Sequence, residues 1–156
     1  MRGTELSSKA VVVATGVDVR RLQVPGIEGL EGAGVYYGAA MTEAANYADQ
    51  HIYIVGGANS AGQGAMFFSR FASQVSMLVR GPSLTISMSQ YLIDQIEGTE
   101  NIAVRTNTRV AEVKGDERLS HIVLENSATG ETSEESATAI FVFIGATAYT
   151  DMLEGI

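Results

Sequence analysis

Three features of the sequence together predict an α/β fold: a Rossmann-like central parallel sheet with flanking helices and an added antiparallel β-meander. The apolar run His51-Ile-Tyr-Ile-Val passes through Gly56-Gly57-Ala58-Asn59-Ser60-Ala61-Gly62 into a stretch of helical periodicity. A second apolar run, Val75 to Arg80, follows it and completes a strand-turn-helix-strand unit. Beyond Ile102 the pattern changes to short β-rich runs broken by turn residues. The first feature also carries chemistry, because a strand that ends in a glycine turn lets backbone N–H groups approach a pyrophosphate at the positive end of a helix.

Taken along the chain, Lys9 to Ala14 is a β-branched run that stops at Thr15-Gly16 and predicts a buried strand. Residues 17 to 37 hold Pro25, Gly26, Gly29, Gly32 and Gly34 between isolated apolar residues, which predicts an extended connection. The alanine-rich stretch from Ala39 to Asp49 lacks glycine and proline and predicts a short helix before the strand at His51. After the glycine turn, Ala61, Ala65, Phe68 and Ala72 recur at helical spacing and place one small apolar face against a sheet. The strand at 75–80 ends at Gly81-Pro82. Met88, Leu92 and Ile96 then share a helical face, with Ser87 or Ser89 as N-cap and Gly98 at a left-handed C-terminal position.

The runs Ile102 to Thr106, Arg109 to Val113 and Leu119 to Glu125 predict an antiparallel meander, turned at Lys114-Gly-Asp-Glu. The polar run Glu131 to Thr138 predicts an edge strand, and Ala139 to Ile144 a fully buried strand that ends at Gly145.

The chain of 156 residues is long enough for one core without disulfide or metal staples. A net charge of −8 with no run of Lys or Arg disfavours nucleic acid and anionic lipid as partners, so an anionic ligand must be held by a local site. The absence of cysteine removes thiolate nucleophiles and the common zinc sets from these residues. His51 and His121 stand apart from any partner at ligand spacing and each precedes an apolar run, which makes them strand-end residues. No metal site is expected. The longest apolar stretches are too short to span a bilayer and no charged-then-apolar signal opens the chain, so a cytoplasmic protein with no membrane partner is the expectation.

Read as G-x-G-x-x-G/A, the turn gives Gly56, Gly57, Ala58, Asn59, Ser60 and Ala61, with Ala58 where the middle glycine would permit closest phosphate approach. The extra methyl shifts the phosphates outward. At the end of the following strand, where an NAD site places Asp or Glu, stands Arg80, whose guanidinium suits the additional phosphate of NADP. Ser83, Thr85, Ser87 and Ser89 follow as hydroxyl donors. Hydrolase chemistry is disfavoured, because no G-x-S-x-G elbow occurs and neither histidine has a nucleophile context. Glu134-Glu135 reads as solvated surface rather than an acid/base pair, and Tyr36-Tyr37 either stacks on a ring or packs internally.

In order, Ala14-Thr15-Gly16, Val24-Pro25-Gly26, Gly34-Val-Tyr-Tyr37, Ile54-Val-Gly-Gly-Ala-Asn-Ser-Ala61, the strand ending at Arg80, and Phe141-Val-Phe-Ile-Gly145 resemble thioredoxin reductase and its low-molecular-weight flavoprotein relatives. The likeness spans nearly the whole chain, and it covers the NADP-binding domain with the two strands that cross to and from the FAD domain. It implies a division into residues 1–20 (crossover from an FAD domain), 21–144 (the NAD(P)-binding domain) and 145–156 (the start of the return crossover). It further implies NADP(H) and, in the full-length protein, FAD as cofactors. Gly56, Gly57, Ala58, Asn59, Ser60 and Ala61 would hold pyrophosphate, Arg80 the 2′-phosphate, Ile144, Gly145 and Ala146 the cofactor edge, and Ala14, Thr15 and Gly16 would lie near FAD.

Two departures from the family pattern matter. Where its members carry a Cys-x-x-Cys pair after the G-V-x-Y stretch, this sequence has Gly38-Ala39-Ala40-Met41, so the dithiol route is closed and the acceptor is another, unidentified one. The FAD motifs of the family are not in these residues, which gives the expectation of a fragment or excised middle domain. Gly81 stands where a second arginine would be. The resemblance allows a homodimer in full-length form. No side chain is expected to act as catalytic acid or base in hydride transfer. The rival readings are a stand-alone NADP-binding regulatory module without turnover and a degenerate subunit without cofactor.

Overall fold

The computed structural model describes residues 7–38 and 46–154. Its strands and helices run β1 (Val17–Val19), β2 (Val35–Tyr37), β3 (His51–Val55), α1 (Asn59–Phe68), β4 (Gln74–Leu78), α2 (Gln90–Glu97), β5 (Ile102–Arg105), β6 (Thr108–Gly115), β7 (Leu119–Asn126), β8 (Thr132–Ser136), β9 (Ile140–Val142) and β10 (Ala146–Ala148). A parallel sheet of order β2-β9-β3-β4-β5 forms the middle layer, with α1 and α2 on one face. The antiparallel sheet β6-β7-β8 covers the other face. The expected fold class is therefore present, with both helices on the same side.

Alternation along each strand builds the two cores. Ile52, Ile54, Val75, Met77 and Phe141 face the helices, where they meet Ala61, Ala65, Phe68, Leu92 and Ile96. Their neighbours Tyr53, Val55, Leu78, Ile140 and Val142 face Val110, Val113, Ile122 and Leu124 of the meander. β9 is apolar throughout, and β3 is so from Ile52 onward apart from the Tyr53 hydroxyl, because both faces of these strands are covered. The predicted small face of α1 is buried as expected, and Ala72 remains buried just past the helix end.

Several expectations need correction. The run 9–14 is not a strand: Val11, Val12 and Val13 are 79%, 91% and 44% exposed, and no strand among the described residues lies beside them to pair with. The connection at 17–37 contains β1 and β2, since Val17–Val19 finds β10 as antiparallel partner and Val35–Tyr37 finds β9 as parallel partner. β5 belongs to the parallel sheet, beside β4, and the meander starts only after Asn107 turns the chain with φ +50°. Gly98 is right-handed (φ −81°), because Thr99 ends α2 by donating its hydroxyl to the Gln95 carbonyl at 2.7 Å and its N–H to that of Ile96. His51 opens β3 as expected, whereas His121 sits inside β7. The expected helix over 39–49 and the Ala39-Ala40-Met41 segment lie largely outside the described residues.

Candidate functional site

The carboxyl ends of β9, β3 and β4 lie side by side and bring most of the predicted site residues to one edge. At the end of β3, Gly56 has φ +146°, and a Cβ there would come within 2.5 Å of the Phe143 carbonyl oxygen. No larger residue fits without moving β9. A Cβ on Gly57 would meet Val79 at 2.9 Å, so the turn is pressed between its neighbours. Ala61 is fully buried 3.0 Å from the Cβ position of Gly56, and its small side chain sets how closely α1 approaches the strand end.

Ala58 occupies the N-cap of α1 in extended conformation, and no side chain caps the helix. The N–H groups of Asn59, Ser60 and Ala61 precede the first α-helical backbone bond, which runs from Gly62 to the Ala58 carbonyl at 3.1 Å. The loop after β4 braces this turn. Ser87 donates its hydroxyl to the Gly57 carbonyl at 2.9 Å, and Asn59 both accepts from the Ser89 N–H at 2.8 Å and donates to the Ser89 hydroxyl at 3.1 Å.

The serine and threonine hydroxyls expected as ligand donors therefore have partners within the chain. Ser83 accepts from the Thr85 N–H and its hydroxyl lies 2.8 Å from that of Thr85, while Ser87 and Ser89 hold the turn. Ser89 occupies the N-cap of α2, yet its hydroxyl is committed to Asn59 and does not cap. Arg80 follows β4 on the same edge, is exposed, and forms no ion pair among the described residues.

On the other side of the turn, the Phe143 N–H donates to the Val55 carbonyl at 2.8 Å, which locks the β9 end to β3. Ile144 packs on the meander-side core, Gly145 turns with φ +102°, and Ala146 opens β10. Of Ala14, Thr15 and Gly16, the last two are bonded to Tyr149: the Thr15 hydroxyl donates to the Tyr149 carbonyl, and the Tyr149 N–H donates to that of Gly16 at 3.1 Å. Tyr36 and Tyr37 pack internally. Tyr36 stacks on Phe141 at a ring distance of 5.2 Å, and the Tyr37 hydroxyl accepts from the Leu22 N–H.

A polar cluster that the sequence does not signal lies on the meander-facing side of the parallel sheet, around Tyr53 in the middle of β3. Arg105 donates to both carboxylate oxygens of Glu135 at 2.8 Å, and the Tyr53 hydroxyl donates to the same group at 3.0 Å. Glu135 is thus a half-buried part of β8 and not solvated surface, while exposed Glu134 pairs with Lys114. Burial alone would raise the Glu135 carboxyl, but its bonds from Arg105, Tyr53 and Ser133 outweigh that and hold it below the usual carboxylate value. Burial raises the Tyr53 phenol and lowers the neighbouring His51 imidazole, whose Nε2 is 2.9 Å from the Ser76 hydroxyl. No sequence signal could have joined Tyr53 to Glu135, which are 82 positions apart.

Residues 1–156 match the family model for pyridine nucleotide-disulphide oxidoreductase. The chain belongs to that family. It is similar to the thioredoxin reductases of Streptomyces clavuligerus, at 35% identity over 98% of this chain and 47% of that protein, and of Mycolicibacterium smegmatis, at 33% identity over 95% and 47%. The solved thioredoxin reductase of Lactococcus lactis in its FR conformation superposes with a TM-score of 0.81 and 27% identity, over 90% of this chain and 46% of that one. The chain spans about half the length of the curated relatives it matches. Its 156 residues contain no cysteine. Among the described residues no helix is long and apolar enough to cross a membrane, and no His, Asp or Glu group is arranged to hold a metal ion.

Proposed function

We propose that this chain is the NADPH-binding part of a thioredoxin-reductase-like flavoprotein oxidoreductase that delivers reducing equivalents to FAD for an acceptor other than its own dithiol. The observation that carries this reading is the turn at Gly56 and Gly57. Both positions are sterically closed to any Cβ, and they open into a helix whose first amides have no side-chain cap. That cradle fits a pyrophosphate.

In this reading Gly56 to Ala61 hold the pyrophosphate, Gly56 through its bare Cα, since its own N–H is bonded to the Leu78 carbonyl at 3.1 Å, and the following residues through backbone N–H groups; Ala58 keeps the ligand slightly farther out than glycine would. Arg80 pairs with the 2′-phosphate and favours NADPH over NADH. The side chains of Ser87, Ser89 and Asn59 act on the ligand only by fixing the turn. Ile144, Gly145 and Ala146 form the nicotinamide edge. Residues 1–20 and 145–156 are the crossings to a flavin domain, a division supported by the antiparallel pairing of β1 with β10 and by the bare apolar run at 11–13. Ala14, Thr15 and Gly16 would lie nearest the flavin. When both cofactors are bound, nicotinamide supplies hydride and flavin stores the electrons; the residues present here bind, orient and shield.

Calorimetric titration of the chain with NADPH and with NADH, beside Arg80→Ala, tests the reading. NADPH is expected to bind more tightly, and Arg80→Ala is expected to remove about 1.5–3 kcal/mol of that binding. Equal affinity for the two nucleotides would take the 2′-phosphate role from Arg80, and no binding of either would remove the nucleotide reading itself.

A further inference from the structure

We propose that Arg20 is a second cationic contact for the dinucleotide, reaching its nicotinamide mononucleotide half; this rests on the nucleotide reading above. All three basic side chains on strands of the described residues are matched with acids, Arg105 with Glu135, Arg109 with Glu125 and Lys114 with Glu134, whereas Lys9, Arg20, Arg70, Arg80 and Arg118, off the strands, form no ion pair among those residues. Arg21, next in the chain to Arg20, pairs with Glu31 and lies over the Tyr37 ring at 5.3 Å. Arg20 is exposed and forms no ion pair among the described residues, although the chain carries a net charge of −8. Adjacent arginines thus have separate roles, one holding the fold and one left open.

Its position is fixed from both ends. The Arg20 N–H donates to the Gly145 carbonyl at 3.0 Å. Its side chain then lies across Gly145, with Cδ, Nε and Nη1 at 3.8, 3.9 and 4.0 Å from where a Cβ of residue 145 would stand. Gly145 follows β9, and β9 adjoins β3, with the Phe143 carbonyl set against Gly56. Along the sheet edge the order is therefore Arg20 beside the β9 end, the glycine turn with the start of α1 at the β3 end, and Arg80 at the β4 end.

A dinucleotide anchored by its adenosine phosphate at Arg80 and its pyrophosphate at α1 directs its other half toward β9. There a guanidinium can donate two parallel hydrogen bonds to a phosphate oxygen pair or one to a carboxamide oxygen. An arginine lying flat over glycine also keeps a low profile under a bound ribose, which a side chain at residue 145 would lift away.

The test is calorimetry on the chain with two probes, NADP and adenosine 2′,5′-bisphosphate, the second lacking the nicotinamide half. Arg20→Ala is expected to weaken NADP binding about tenfold while leaving the bisphosphate unchanged. Arg80→Ala is expected to weaken both. Unchanged NADP affinity in Arg20→Ala, or equal losses for the two probes, overturns the Arg20 assignment while the nucleotide reading stands. If the parent chain binds neither probe, both fall. A circular dichroism spectrum and melting temperature equal to the parent's separate loss of contact from loss of fold.

Discussion

β3 and the segment 10–14 are both short apolar runs rich in β-branched residues, yet their fates are opposite. Ile52 and Ile54 are fully buried, while Val12 is 91% exposed. Composition is not what separates them. β3 has β4 on one side and β9 on the other, with a core on each face, whereas 10–14 has no strand beside it among the described residues. An apolar run records only what a segment can bury, worth about 1.5–3 kcal/mol per large side chain, and a neighbour decides whether it does.

The sharpest way to test this contrast is to cut into the covered side. Phe141 in β9 is fully buried, with Phe68 at a ring distance of 4.1 Å and Tyr36 stacked on it. Phe141→Ala should cost about 3–5 kcal/mol in urea denaturation, because the rings around it cannot close the space.

A smaller effect, and one set by pH, is expected where β8 is pinned to the parallel sheet. Glu135 is held below its ordinary value of 4.5, so the stability it contributes is complete above that value and is lost as pH falls through the lowered one. His51, lowered by burial from 6.5, begins to cost stability earlier, as pH falls below 6.5 and the unfolded chain takes up the proton first. Denaturation midpoints should therefore decline in two stages on acidification. Glu135→Gln should lower the neutral-pH midpoint and flatten the second stage; an unaltered acid limb would show that the carboxylate is not the titrating link.

The smallest change belongs to the uncovered run. Val12→Ser should shift the folding free energy by no more than about 0.5 kcal/mol. A loss above about 1 kcal/mol in the same urea experiment would mean that 10–14 is packed in solution, and the contrast with β3 would collapse.

The parts that were legible in the sequence are those where local rules agree with one another. Residues 51–68 offer a covered strand, a glycine turn and a small-faced helix in consecutive positions, and each prescribes the same geometry. The sequence places β5 with the meander because a β-rich run reads alike in parallel and antiparallel sheets, whereas the structure changes sheet over two residues, Thr106 and Asn107. The pairing of β1 with β10 joins residues about 130 positions apart, and three-residue strands give almost no periodicity to read. The hydroxyls after Arg80 read in sequence as ligand donors because the partners of Ser87 and Ser89, Gly57 and Asn59, come from the turn after β3, about 30 positions earlier. Arg20 carried no local mark; only the antiparallel return of the chain brings it to Gly145.

Ala58 sets helix stability against the availability of the amides at the start of α1. A serine or aspartate at an N-cap ordinarily adds about 1 kcal/mol to a helix by occupying its opening amides. With alanine there, α1 forgoes that gain and leaves those donors to whatever arrives from solution. Ala58→Asp should therefore be a trade: a higher melting temperature obtained by an internal carboxylate that competes with every external anion for the same amides. Selection for heat resistance alone would drive this position toward such a cap, so an uncapped helix at the end of β3 is a place where greater stability and ligand access pull the sequence in opposite directions.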